Sequence, residues 1–515
     1  MPFKEINLGL QSIPGAVPAW RTTINAGELR GACEQIANSG GRLVALWGSD
    51  ERSRGEGFAA HFALSSPDGL LVLTLPMAES DPVYPHVSGI FLAAIRMERA
   101  LYDLLGIRAE GASDRRKWLR HAAWPADRFP LRKEFAARSR FPNGDDEYPV
   151  VLVAGDGVHE IPVGPVHAGT IEPGHFRFSV VGERVLRLEE RLGYKHKGIE
   201  KRFESLSLND GVKLAGRVSG DSTVAYAWAY SMAVEGLSGT APPERALWLR
   251  ALALERERIA NHLGDLGFLG NDAALAFGLS QFSLLKEDLL RANRELFGHR
   301  YLMDLIVPGG VARDLDEKGV DAIEREIAKL VREVPRLKAI YDEHAGLQDR
   351  FVTTGRVEPK LASVLGATGL AARASGIAWD LRAEIPCFPY GELDVQIATE
   401  RSGDVAARVA VRFEEIMESL RLCSAILQKL PAGPIVAPIA AAEESAFGIG
   451  WVEGWRGEVF VAVHAGKNNG IHRAHAHDPS WENWPLIEHA VIGDIVPDFP
   501  LINKSFNLNY SGQDL

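Results

Sequence analysis

Cysteine is scarce in this sequence, and that shortage excludes more than any other feature. Only Cys33, Cys387 and Cys423 occur in 515 residues, far apart, so no Cys-x-x-Cys exists anywhere. A thiolate-held iron–sulfur cluster within the chain is thereby excluded, and the isolated thiols fit a reducing compartment. Long apolar runs are also lacking, since none reaches the roughly 20 residues needed to span a bilayer. The amino-terminal MPFKEINLGLQSIPG has no basic-then-apolar signal pattern. There is no glycine motif for a nucleotide, no internal repeat and no low-complexity tract. Basic residues are the minority, giving a net charge of −11, which disfavours nucleic acid and anionic lipid as partners of the whole surface. The rest is ordinary: 46% hydrophobic and 24% charged residues describe a globular chain, long enough for more than one domain.

The stretch Gly164–Glu204 carries the most information. Gly164–Gly174 is broken by glycine and proline, so it reads as a loop, and it brings His167 and Glu172 just ahead of His175. Phe176, Phe178 and Val180 alternate with Arg177 and Ser179, Gly182-Glu183 can turn the chain, and Val185, Leu186 and Leu188 lead back. That pattern predicts a β-hairpin ending in Tyr194–Lys201. A loop bearing histidine and glutamate on a rigid hairpin suits proton chemistry.

Residues 1–140 predict a small α+β domain. A helix is expected over Gly27–Asn38, strands over Arg42–Trp47, Gly57–Leu64 and Leu70–Leu75, and a second helix over Ser88–Gly106. The polar, Gly/Pro-bearing SRFPNGDDEY around residues 141–149 predicts a linker. Residues 150–515 form the second domain, mostly helical from Gly211 onward. Helices are expected over Pro242–Leu269, over Val320–Tyr341 with a kink at Pro335, and over Asp404–Leu430. Cys423 falls on the apolar stripe of the last and reads as core.

GPVHAGTIEPGHFRF and LGYKHKGIEKRFE resemble the opening signature of the large subunit shared by respiratory complex I (its D subunit) and the membrane-bound, hydrogenlyase-type group 4 nickel–iron hydrogenases. The wording GPVHAG–EPGHF leans toward the hydrogenase branch. Met97–Ile107 and Phe129–Phe135 resemble the complex I C subunit, with Ala100 where that family usually has glutamate. ERIANHLGD (257–265), VPGGV (307–311), ASGIAWDLR (374–382) and GWVEGWRGE (450–458) follow in family order. The resemblance implies a C-like α+β docking domain fused to a mainly helical D-like domain that opens with the hairpin.

In the hydrogenases two Cys-x-x-Cys pairs hold nickel and iron, because low-valent metal needs soft thiolates. Counting back from Ala229-Tyr230 and Val234-Glu235 places the first pair on Ser219 and Ser222, within Arg217-Val218-Ser219-Gly220-Asp221-Ser222. An apparent second match, Asp478–Asn483, would use Ser480 and Asn483. Pro479–Asn483 fits an upstream family element better, and Asp498-Phe499-Pro500 then sets the second pair on Asn509 and Gly512. No sulfur stands at any of these positions. The sequence ends at Leu515, so the extension that maturing hydrogenases remove is expected to be absent. Complex I D subunits place a quinone-donating tyrosine where Gly220 stands, and a loop histidine that His167 or His175 could supply.

The resemblance further implies that Glu172 is the loop glutamate of a proton relay. Burial against Phe176 would raise its pKa, and His167, His175, His196 and Glu200 would continue the relay. A second reading has the same residues only hydrogen-bonding the loop and a subunit interface. His472, His475, His477 and Asp478 allow zinc, with ordinary polar contacts favoured. Asp380, Arg382 and Arg456 read as structural ion-pair members, and Tyr226, Trp228 and Tyr230 as helix packing more than cavity filling.

The function implied is that of a fused large subunit of a membrane-associated, ion-translocating oxidoreductase that has lost the nickel–iron centre. The chain itself would bind no cofactor. The iron–sulfur cluster would sit in a small-subunit partner, antiporter-like membrane subunits would lie beneath, and the acceptor would be a quinone or another molecule. Its place would be cytoplasmic and peripheral, on the inner face of the cell membrane. The alternative is a non-catalytic scaffold.

Overall fold

A computed structural model describes residues 3, 8–122, 124–142, 144, 147–169 and 171–515. Parts of the amino-terminal segment and of the expected linker, including Asn143, Asp145 and Asp146, lie outside the described residues, as does Thr170 of the hairpin loop.

The amino-terminal part is built on a five-stranded sheet in the order 11–12, 19–23, 69–77, 58–66, 42–50. The three expected strands are all present as Arg42–Asp50, Phe58–Ser66 and Gly69–Met77, each longer than the alternation alone suggested. The first helix, Ala26–Asn38, starts at a capping box. Asn25 Oδ1 accepts the Gly27 and Glu28 amides, and the Glu28 carboxylate takes the Asn25 amide in return. It buries Leu29, Ala32, Cys33 and Ile36, the face expected from their spacing. The helix expected over Ser88–Gly106 starts only at Ala94. The Glu98 carboxylate accepts the Val87 and Ser88 amides and the Ser88 hydroxyl, which holds the preceding turn outside the helix.

The expected linker contains no helix or strand among the described residues, yet it is not free. Arg99 donates to the Tyr148 hydroxyl (2.6 Å), the Arg116 and Arg191 guanidinium groups lie over the Tyr148 ring, and the Val151 amide donates to Glu189.

The hairpin forms as expected, His175–Val181 pairing antiparallel with Arg184–Arg191 around the Gly182-Glu183 turn. Val158–Val163 adds a third strand that the alternation did not reveal. Phe176, Phe178 and Val180 face the interior, and the two phenylalanines meet Phe499.

Beyond Gly211 long helices dominate: Thr223–Ser238, Glu244–Asp272, Ala276–Phe297, Glu317–Glu343 and Val405–Lys429. Pro335 stays inside its helix, and Cys423 is buried on the stripe of Val405–Lys429. The second domain is mostly helical, as expected, and also holds a sheet whose extent the sequence did not show. Phe447–Glu453, Glu458–Ala465 and Ile471–His477 form an antiparallel sheet. One side packs on Thr223–Ser238 because Gly448 and Gly450 lack side chains. A Cβ there would lie 2.0 Å from the Ala233 carbonyl oxygen and 1.9 Å from that of Ala229. The other side meets the amino-terminal sheet, where Trp47 contacts Phe460 and stacks on His475. Thr223–Ser238 therefore has covered surface all round, every residue from Thr223 to Gly236 being buried.

Asp380 and Arg382 belong to a buried ion network, as expected. Arg382 binds Asp380 (2.7 Å) and Glu255 (2.9 Å), and Arg373 binds Glu415 and Glu453 (both 2.8 Å).

Candidate functional site

The hairpin loop docks on the last helix, Tyr510–Asp514. Glu172 accepts the Ser511 amide at 2.9 Å and the Ser511 hydroxyl, while Lys195 stands 3.7 Å away. Burial against Phe176 is not what holds this carboxylate, for its side chain keeps 37% of its surface exposed and its partners are Ser511 and Lys195. His167 lies edge-on to Phe176 and 3.4 Å from the Tyr510 hydroxyl. Tyr510 can come this close because Gly174 has no side chain, a Cβ there meeting its ring at 2.6 Å. His175 begins the strand. Burial lowers the pKa of His167 and of His175, so both imidazoles are neutral near pH 7.

The end of the hairpin binds the same helix. The Gly193 and Lys195 amides donate to Asp514 (2.9 and 2.8 Å), and His196 Nδ1 lies 2.7 Å from the Asp514 carbonyl oxygen. Burial raises the Asp514 carboxyl to about 7 against the pull of those amides. Glu200 points elsewhere, to Arg473 (2.8 Å) and His475 (2.7 Å), and is not in contact with Glu172. Burial alone would raise it, but Arg473 and His475 outweigh that and hold it at about 2.

Ser219 and Ser222 lie at the start of the buried helix Thr223–Ser238, and both are buried. Asp221, between them, organises the segment. It accepts the Ser219 hydroxyl at 2.5 Å and a bidentate pair from Arg456 at 2.9 and 2.7 Å. Arg456 also donates to the Ser222 hydroxyl (3.2 Å) and the Asn507 carbonyl (2.5 Å). Its guanidinium lies 3.9 Å from the Trp455 ring centroid. Burial would raise the Asp221 carboxyl, but Arg456 prevails and keeps it at about 2. Arg456 is thus an ion-pair member, as expected, but at the centre of the site and not apart from it.

Asp478 is the second organiser, in a role that neither of its sequence matches indicated. It accepts the Tyr226 hydroxyl (2.7 Å), the Asn509 amide group (3.2 Å) and the Ser480 backbone amide (2.9 Å). Tyr226, expected to be mainly packing, therefore ties the serine segment to the carboxy-terminal segment. Trp228 and Tyr230 do pack, Trp228 against Tyr390 and Tyr230 against Phe203. Asn509 caps the last helix by accepting the Gly512 amide. A Cβ on Gly512 would stand 2.2 Å from Asp478 Oδ2.

Ser219, Ser222, Asn509 and Gly512, the four positions expected to match metal ligands, are thus drawn together by Arg456, Tyr226 and Asp478. Their donor set does not fit a nickel–iron centre. The two hydroxyls are committed to Asp221 and Arg456, Asn509 is a cap, and Asp478 fills the space a side chain at 512 would need. Hard oxygen and amide groups do not replace four thiolates.

The histidines of Ile471–His477 each have a polar partner: His472 with Glu51 (3.0 Å), His475 with Glu200 and His477 with Glu482 (2.7 Å each). Among the described residues no three His, Cys, Asp or Glu side chains are grouped to hold a metal ion.

Comparison with known proteins agrees with this layout. Residues 22–141 match the family model of the respiratory-chain NADH dehydrogenase 30 kDa subunit, and residues 281–448 that of the 49 kDa subunit. Formate hydrogenlyase subunit 5 of Escherichia coli (strain K12) is 31% identical, over 98% of this chain and 92% of its own. Hydrogenase-4 component G of the same organism is 32% identical, over 92% of this chain and 84% of its own. The C/D subunit of an NADH-quinone oxidoreductase from Phocaeicola vulgatus is 30% identical, over 81% and 84%. A chain of the membrane-bound sulfane sulfur reductase, an archaeal respiratory membrane complex, superposes with a TM-score of 0.66 at 26% identity. It is covered completely (100%) by 72% of this chain. The chain belongs to the family of fused large subunits that includes formate hydrogenlyase subunit 5, hydrogenase-4 component G and the C/D subunits of NADH-quinone oxidoreductase.

Proposed function

We propose that this chain is the fused large subunit of a membrane-associated, ion-translocating oxidoreductase, acting in electron transfer to a quinone-like acceptor and in proton coupling, without a nickel–iron centre. The observation that carries the reading is the pairing of Asp221 with Arg456 and of Asp478 with Tyr226, where four thiolates would stand in a hydrogenase. Among the described residues no helix is long and apolar enough to cross a membrane, so contact with the membrane falls to partners: an iron–sulfur small subunit and antiporter-like subunits, with the chain on the cytoplasmic side.

Glu172 is the proton-handling residue in this reading. Its carboxylate is open to solvent on one side and joined to the carboxy-terminal helix on the other, and His167 and His175, both neutral, flank the loop. The experiment is quinone reduction by the purified complex, with Glu172→Gln as probe. Gln keeps an acceptor for Ser511 but cannot release a proton. Turnover is expected to fall by about tenfold or more, in keeping with the loss of one acid–base group. Unchanged turnover removes Glu172 from the route, and stoichiometric nickel in the complex overturns the reading as a whole.

One observation favours a second reading, a non-catalytic scaffold: the chain's own Arg456, Tyr226 and Asp478 occupy the ground between the two segments. A partner cluster reduced by donor but never reoxidised through this subunit would select it.

A further inference from the structure

The buried helix Thr223–Ser238 starts without a cap of its own. Ser222 stands at the capping position, but its side chain accepts no amide of the first turn. Its hydroxyl is engaged elsewhere, donating to Asp221 (3.4 Å) and accepting from Arg456 (3.2 Å). A residue of another helix satisfies the free amides instead. Glu257, on Glu244–Asp272, accepts the Val224 amide at 2.7 Å and the Ala225 amide at 3.3 Å. One turn further along the same face, the Asn261 side chain donates to the Asp221 carbonyl oxygen at 2.8 Å. Glu257 and Asn261 thus grip residues 221–225 from one side. Trp455, whose Nε1 donates to the same carbonyl at 2.9 Å, and Arg456 hold Asp221 from the other.

Glu257 is only 6% exposed, and both of its partners are main-chain amides that bear no charge. The two bonds are unequal. A carboxylate offers its oxygens alike, whereas a carboxylic acid accepts through one and carries its hydrogen on the other. A short bond to Val224 beside a long one to Ala225 matches the acid form. The charged and titratable groups around it are Arg258 on its own helix, Asp221 on the site segment, and Lys286, Arg300 and Tyr301, which border one small cavity with Glu257 and Asp221. Burial, helped by the Asp221 charge, pushes the Glu257 carboxyl up to about 8 against the pull of the two amides and Arg258. Once ionised, the group would accept both amides strongly, and a negative charge at the start of a helix is favoured by its dipole.

We propose that Glu257 is a positioning residue of the site: on losing its proton to water it tightens on the Ala225 amide and draws the start of Thr223–Ser238, with Asp221 and Ser222, toward Glu244–Asp272. On regaining the proton it lets the segment back. One proton leaves and one returns, and no other covalent bond changes. The geometry of residues 221–225, and with it the setting of Asp221 against Arg456, then follows the protonation state of a group that touches neither side chain of that pair. This deepens the proton coupling proposed above and rests on that reading only for its link to turnover.

The first measurement is independent of activity. In ²H,¹⁵N-labelled full chain, the Val224 and Ala225 amide resonances should shift together as the pH is raised through about 8. They should stay fixed in Glu257→Gln, which still accepts at one oxygen but has no proton to lose. Resonances that do not titrate, or that titrate in the Gln variant as well, overturn the proposal. Glu257→Ala leaves both amides without an acceptor, so their hydrogen exchange should quicken at least about tenfold, with Gln staying close to the wild-type rate. Unchanged exchange in Ala overturns the grip on the helix start, and if Ala does not fold, the Gln titration decides alone. In the purified complex, the pH profile of quinone reduction should show an inflection near 8 that Glu257→Gln removes. An inflection absent from wild type, or kept in the variant, overturns the coupling to the site. A complex that reduces no quinone ends the proposed function, and the amide titration then decides the role of Glu257 by itself.

Discussion

At the scale of single residues, the site rests on two carboxylates whose partners no motif points to. Asp221 and Asp478 each hold the ground between segments far apart in the chain, and Gly512 shows how tightly. Its backbone is in an ordinary helical conformation, so a substitution there meets first the side chains of Asp478 and Asn509. Gly512→Ala should displace the Asp478 carboxylate, break its bond with Tyr226, and lower stability by about 1–3 kcal/mol as overpacking does. Adding Asp478→Ala removes the main obstacle, so the double variant should be less unstable than the sum of the two singles, measured by denaturant unfolding in a double-mutant cycle.

Asp514 offers a pH signature at the same scale. Its folded pKa of about 7 lies above the reference of 3.8, so the folded state holds a proton that the unfolded chain gives up. The stability linked to it is complete below pH 3.8 and is lost as pH rises toward about 7. Asp514→Asn cannot ionise. Its stability relative to wild type should therefore improve steadily across that window, read from melting temperatures at a series of pH values.

At the scale of elements, the helix Thr223–Ser238 positions the site because a sheet lies almost in contact with its backbone. Gly450→Ala would force a Cβ to 1.9 Å from the Ala229 carbonyl, so helix and sheet must separate. We expect a loss of about 3 kcal/mol or more, beyond ordinary overpacking because the obstacle is main chain. Gly220→Ala is the control. Gly220 is in the site segment but has nothing within 4 Å of a Cβ, and its change should stay within about 0.5 kcal/mol. Thermal unfolding distinguishes the two.

The helices were legible in the sequence because their apolar residues recur with the helical period. Val405, Val409, Phe413, Ile416, Leu420, Cys423 and Leu427 are all buried on one stripe. The sheet Phe447–His477 was not, for its central strand EVFVAVHA is apolar on both faces and offers no alternation. Its neighbours supplied the missing cover, and periodicity carries no record of neighbours. The late start of Ala94–Leu105 has a similar cause, the capture of the preceding amides by Glu98, which local pattern does not encode.

At the scale of the whole molecule, stability depends on a buried ion network joining helices and sheet. Arg258, Arg373 and Arg382 meet Glu255, Asp380, Glu415 and Glu453, four carboxyls to three guanidiniums. Burial and the neighbouring Asp380 push Glu453 up to about 7, with Arg373 opposing. Arg373→Met leaves Glu415 and Glu453 short of a partner and should cost about 3–5 kcal/mol. Chemical denaturation at neutral pH measures it. Lowering the pH should recover part of the loss, since protonation then replaces the missing charge.

The sequence by itself determined the order of the two domains, the hairpin, the long helices and the absence of any Cys-x-x-Cys pair, because period and residue chemistry are local properties. It placed His167 and Glu172 in a loop just ahead of the strand that His175 begins for the same reason. Only the tertiary structure decided what surrounds Ser219, Ser222, Asn509 and Gly512. Asp221 meets Arg456 across 235 positions of chain, and Asp478 meets Tyr226 across 252. Nothing in the neighbourhood of either residue in the chain specifies its partner. Those contacts exist because the sheet, the buried helix and the carboxy-terminal helix pack against one another, and packing alone brings such distant groups within hydrogen-bond reach.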